Sequence, residues 1–92
     1  MSVYFGMIAF IDERLGVVLD TLERTGLRED TIVLFCSDHG DFMGEHHSLI
    51  KCNAFYDCLT RVPLLFSYPR LGVHAQRRAE LIRLVDVLPS RP

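Results

Sequence analysis

Residues 31–40 read TIVLFCSDHG, and the fold turns on them. Thr31 to Cys36 is a continuous β-branched and aromatic run without polar alternation, as expected of a central strand buried on both faces of a parallel sheet. Asp38 and His39 follow the run directly, so they fall at the strand's carboxyl end, where open α/β sheets place their ligands. Successive strand side chains point to opposite faces. These two can therefore meet at one ion only if the backbone bends, and Gly40 permits that bend. A carboxylate oxygen with a neutral imidazole suits a divalent ion of the Ca, Mn, Zn or Mg type, the imidazole pulling the choice toward the transition metals. Two donors do not complete a site, and the remaining ligands must come from elsewhere.

Upstream, Tyr4, Ile8, Ile11, Leu15, Val18 and Leu22 recur at steps of four and three, with Asp12, Glu13, Asp20 and Glu23 largely between them, which predicts one amphipathic helix. Its end is expected near Thr25, with Gly26 as a left-handed C-terminal cap and Arg28–Asp30 as a polar connection. Downstream, residues 37–53 show no sustained period and read as a functional loop. Residues 54–60 suit a short helical turn, and residues 62–67 (VPLLFS) a second buried strand with Pro63 near its start, where a missing N–H is tolerated. Pro69 closes that strand; after a polar stretch over 70–78, residues 81–88 are apolar again. Helix, strand, loop, strand in this order implies an α/β sandwich.

With 92 residues the chain is at most one domain with a thin core. Acids and bases are interspersed at a net charge of −2, leaving no basic stripe for a phosphate backbone and no polybasic patch for lipid. Nucleic acid and membrane are therefore not expected as partners. The N-terminus meets acidic residues after eleven positions and has neither a basic n-region nor a small-residue cleavage site, and no apolar run nears the ~20 residues of a membrane span. The expectation is a soluble chain without a signal peptide, cytoplasmic by default. Cys36, Cys52 and Cys58 include no CxxC pair, which fits reduced thiols better than a disulfide framework or a small zinc or redox domain.

FCSDHGDFMGEH (35–46), then Lys51, then AFYDCLTRVPLLFSYP (54–69) resembles the sulfatase family of the alkaline phosphatase superfamily. GMIAFIDERLGVVLDTLERTGLREDTIV (6–33) is similar to the segment leading into that motif, and LIRLVDVLP (81–89) resembles the family's later Val-Asp-Leu-x-Pro segment. The resemblance implies that residues 1–92 are a fragment of a sulfatase catalytic domain, a partial alkaline-phosphatase-like sandwich with helices packed on a mostly parallel sheet. It implies that Asp38 and His39 bind one divalent ion, calcium by family habit with Mn or Mg as alternatives, and that Lys51 contacts the anionic oxygens of the ester. The implied reaction is hydrolysis of a sulfate-ester small molecule by a formylglycine, formed from Cys or Ser in a C/S-x-P/A-x-R motif, with metal assistance. This chain has no such motif: Cys52-Asn-Ala-Phe-Tyr has the alanine without the arginine, and Val87-Leu-Pro-Ser-Arg has valine in place of cysteine. By itself the chain is expected to be inactive. Phosphonate monoester and phosphodiester hydrolases of the same superfamily use the same metal corner and are the alternative, beside a non-catalytic metal-binding remnant.

Other residues fit simpler roles. His46 and His47 suit a solvated loop better than a zinc cluster with His39, because helical HxxxH spacing is lacking. Glu45 can orient the turn or pair with Arg61, Cys36 is expected as a buried apolar filler, and Ser37, Asp38 and His39 are too close in sequence to form a hydrolytic triad. A sheet that lacks neighbouring strands exposes apolar edges, so the isolated chain is expected to be marginally stable and to self-associate. Sedimentation velocity at rising concentration should show growing species; a sharp, reversible, monomeric melt would contradict this.

Overall fold

The computed structural model describes residues 2–48, 53–72 and 75–87. Helix α1 spans Ser2–Arg24, strand β1 Val33–Cys36, the one-turn helix α2 Asp57–Thr60 and strand β2 Leu64–Ser67, with 3₁₀ turns before β1 (Arg28–Asp30), before α2 (Glu45–His47) and after β2 (Pro69–Leu71 and Leu84–Asp86). Among these residues no helix is long and apolar enough to cross a membrane.

Helix α1 ends as its sequence dictates. Gly26 has φ +70°, its N–H donates to the Glu23 carbonyl (3.1 Å), and the Leu27 N–H reaches back to the Leu22 carbonyl (3.0 Å). This is a Schellman cap, which uses glycine because a Cβ disfavours the left-handed residue. A 3₁₀ turn at Arg28–Asp30 then leads into β1. Arg28 ties this junction to the far strand: its guanidinium donates to Ser67 Oγ and lies 3.9 Å from Glu23 Oε1. Arg70 pairs with Asp30 alongside.

Strands β1 and β2 pair antiparallel, with Val33 opposite Ser67 and Cys36 opposite Leu64. The expected mostly parallel sheet is corrected here: among the described residues the sheet has two antiparallel strands. A parallel return needs a crossover helix long enough to run back beside the strand. At four residues, α2 is roughly 6 Å long, against roughly 13 Å for a four-residue strand, so the chain re-enters the sheet in the opposite sense. Burial on both faces is corrected as well. Exposure alternates along β1, with Val33 and Phe35 half-buried and Leu34 and Cys36 exposed. Cys36 points out on the open face and is not the buried filler its neighbours suggested.

The apolar stripe of α1 is also uncovered: Ile8, Ile11 and Val18 are about half exposed, and no residue of the helix is buried. The buried side chains among the described residues are Phe42 (2% exposed) and Leu59 (5%). They lie in the loop after β1 and in α2, so the tightest packing of the chain sits beside Asp38 and His39.

One backbone contact sets that packing. The Gly40 N–H donates to the Leu59 carbonyl at 2.8 Å, and a Cβ on Gly40 would stand 2.0 Å from the Cys58 carbonyl oxygen. No real Cβ tolerates such a distance. Gly40→Ala is expected to push α2 away and destabilise the chain by about 1–3 kcal/mol, the range for overpacking. Gly6→Ala meets nothing within 4 Å and is expected to stabilise α1 by roughly 0.5–1 kcal/mol through helix propensity. Urea midpoints of the two variants should move in opposite directions.

Candidate metal corner at the end of β1

The residues that follow β1 form a tight turn held by their own polar groups. Ser37 Oγ donates to the His39 carbonyl (2.8 Å), and the His39 N–H donates to Asp38 Oδ1 (3.0 Å). The bend comes from these short-range bonds. Gly40 is not in the left-handed region, since positive φ among the glycines falls at Gly26, Gly44 and Gly72; its small size serves close approach to α2 instead.

The turn brings the Asp38 and His39 side chains together. His39 Nδ1 lies 2.7 Å from the Gly40 carbonyl oxygen, which can only accept, so Nδ1 carries the proton and a neutral ring bears its lone pair on Nε2. Nε2 stands 3.8 Å from Asp38 Oδ2, too far for a hydrogen bond. A carboxylate oxygen and an imidazole nitrogen, donor types that bind divalent ions, therefore stand close together in this turn. The Asp38 side chain is largely exposed and the His39 ring is about one-third exposed, so both are reachable from solvent. They border an open groove whose other walls include Asn53, Thr60, Arg61, Arg77 and Arg78. Among the described residues no three His, Cys, Asp or Glu side chains converge as a complete metal site. Lys51 and Cys52 lie outside the described residues.

The remaining loop residues have structural partners. The His46 ring stacks on Tyr56, with centroids 4.0 Å apart, in place of a zinc cluster with His39. Arg61 reaches Asp57 Oδ2 at 3.8 Å, both groups well exposed. Desolvation pushes the Cys58 thiol's pKa up, and the neighbouring Glu45 carboxylate raises it further. Phe42, Tyr56 and this thiol are the parts of the site that sequence reasoning missed. Phe42 was the available signal, as a lone aromatic among polar loop residues.

The family model described as Sulfatase matches residues 1–91. The chain is 42% identical over 89 residues to a choline-sulfatase of Rhizobium meliloti (strain 1021), covering 95% of this chain and 16% of that protein. It is 35% identical over 88 residues to arylsulfatase K of Gallus gallus, covering 95% and 16%. It is 36% identical over 90 residues to the multifunctional alkaline phosphatase superfamily protein PehA of Trinickia caryophylli, covering 97% and 17%. No solved structure matches. The chain therefore spans about a sixth of the length of these curated relatives. With a match that runs from one end of the sequence to the other and takes in the Asp38–His39 turn, the chain belongs to the sulfatase family.

Proposed function

We propose that this chain supplies two metal ligands, Asp38 and His39, and an anion-binding lysine, Lys51, to a sulfuric ester hydrolase. The observation that supports the reading is the closeness of Asp38 Oδ2 and His39 Nε2, 3.8 Å apart at the carboxyl end of β1. A carboxylate oxygen and an imidazole nitrogen are both donor types that divalent cations take. Asp38 and His39 would hold a divalent ion, calcium or alternatively Mn or Mg, whose chemistry would be Lewis-acid polarisation of the ester.

The chain's own residues do the rest. The Gly40 carbonyl fixes the His39 tautomer, the kind of outer contact that sets ligand orientation. Lys51 offsets the negative charge of the sulfate oxygens. The likeness to choline-sulfatase and arylsulfatase K supports a sulfate-ester small molecule as substrate. The likeness to PehA, a multifunctional protein of the alkaline phosphatase superfamily, keeps open the second reading, a phosphonate monoester or phosphodiester hydrolase of that superfamily. A metal-binding remnant without catalysis is the third.

In the natural protein that carries these residues, Asp38→Asn should weaken Mn²⁺ binding, followed by electron paramagnetic resonance, beyond the roughly 10- to 100-fold that losing an outer-shell partner costs. Lys51→Ala should leave that affinity unchanged and lower kcat/KM for an aryl sulfate about 100- to 1,000-fold, the cost of losing one preorganised charge-stabilising donor. Faster turnover of an aryl phosphonate than of the aryl sulfate would favour the second reading. Equal Mn²⁺ binding by the wild type and Asp38→Asn would remove the metal assignment.

A further inference from the structure

The loop bearing Asp38 and His39 is fastened to α2 by aromatic rings that no ligand role uses. Phe42, fully buried, meets Tyr56 edge-on with centroids 5.5 Å apart and planes at 65°, and meets His46 at 6.0 Å and 80°. His46 lies almost flat on Tyr56, with planes 24° apart. Edge-on and offset-stacked arrangements are those that ring quadrupoles favour. Tyr56 is the N-cap residue of α2, and its carbonyl accepts the N–H groups of Leu59 (2.9 Å) and Thr60 (3.0 Å). Leu59 in turn presents the carbonyl to which Gly40 donates. A continuous path of contacts therefore runs from the His46 ring, through Tyr56 and α2, to the residue next to His39.

The loop also holds Met43, His46 and His47 at φ of 51°, 51° and 58°. Left-handed backbone at residues with a Cβ persists only where surrounding contacts over-determine it. Stacking on Tyr56 is such a contact for His46, and it engages the face of the imidazole.

We propose that the His46–Tyr56–Phe42 clasp is a positioning device for the Asp38–His39 pair, with His46 and Tyr56 as positioning residues that act through the Gly40–Leu59 bond. The inference rests on the metal reading above and assigns His46 a stacking role, as a flat ring and not as a third ligand. His46 is exposed on the surface, so its replacement leaves the buried Phe42 and Leu59 in place.

The test is Mn²⁺ affinity of the natural protein carrying this chain, measured by electron paramagnetic resonance for wild type, Asp38→Asn, His46→Ala, His46→Phe, Tyr56→Ala and Tyr56→Phe. His46→Ala and Tyr56→Ala should each weaken binding about tenfold, the low end for groups that orient metal ligands, and the two phenylalanine variants should stay within about twofold of wild type. If His46→Phe binds as weakly as His46→Ala, the imidazole nitrogens are required and the positioning role is overturned. If Asp38→Asn loses the ion while His46→Ala and Tyr56→Ala keep wild-type affinity, the clasp is overturned and the metal pair stands. If Asp38→Asn binds like wild type, both fall.

Discussion

The structure around the site depends on one approach of backbone to backbone, where Gly40 comes so near the Cys58 carbonyl that a methyl group would have no room. The hydrogen bond from the Gly40 N–H to Leu59 locks the residue after His39 to a helix that starts seventeen positions later. Phe42 and Leu59 are buried on either side of this contact. Each contributes the roughly 1.5–3 kcal/mol expected for a fully buried large apolar side chain, and that burial is concentrated in the loop after β1 and in α2, beside the Asp38–His39 turn. A site on a loop is less rigid than one on regular structure, and close packing against a neighbouring helix compensates.

The rest of the chain shows the opposite condition. Most large apolar side chains of α1 and the outward residues of both strands are exposed, so among the described residues the hydrophobic term that usually balances the entropy of ordering a helix and a sheet is largely unrealised. Such faces are what a portion of a larger α/β domain presents before its neighbours cover them, and the chain spans about a sixth of its relatives' length. Polar contacts take over part of the work at the α1–β1 junction. Arg28 bridges Glu23 and Ser67 and Arg70 pairs with Asp30, linking the end of the helix to the end of β2 where no apolar layer does so.

Local signals were legible in the sequence, and signals that depend on what covers a surface were not. The 3.6-residue stripe and Gly26 placed the C-terminal end of α1 to within a residue and identified its cap, because a helix end and its Schellman turn are determined by nearby residues. The runs at 31–36 and 62–67 placed both strands, and the 54–60 turn contains α2. Strand direction was misjudged because an unbroken apolar run reports burial on two faces without naming the partner, and the length of α2 decided the direction instead. Cys36 was misplaced for the same reason, since alternation of exposure along β1 appears only once the sheet has an open face. His46 reads as a loop histidine until the fold brings Tyr56, ten positions away, beneath its ring. The Asp38–His39 pair was legible as a location, the carboxyl end of a strand, whereas its geometry was not.

That geometry resolves an apparent conflict in the sequence. Neighbouring residues of an extended strand point to opposite faces, so two adjacent ligands for one ion seem excluded. β1 ends at Cys36, and by Asp38 the chain has already left the pleat. The Ser37 hydroxyl on the His39 carbonyl and the Asp38 carboxylate on the His39 N–H close a turn too short for alternation to persist. The bond from His39 Nδ1 to the Gly40 carbonyl then orients the ring, whose Nε2 lies 3.8 Å from Oδ2. Each residue from Ser37 to Gly40 thus has a task in making neighbours converge: the serine closes the turn, the aspartate shapes it, the histidine fixes its ring on the next carbonyl, and the glycine lets α2 hold the result.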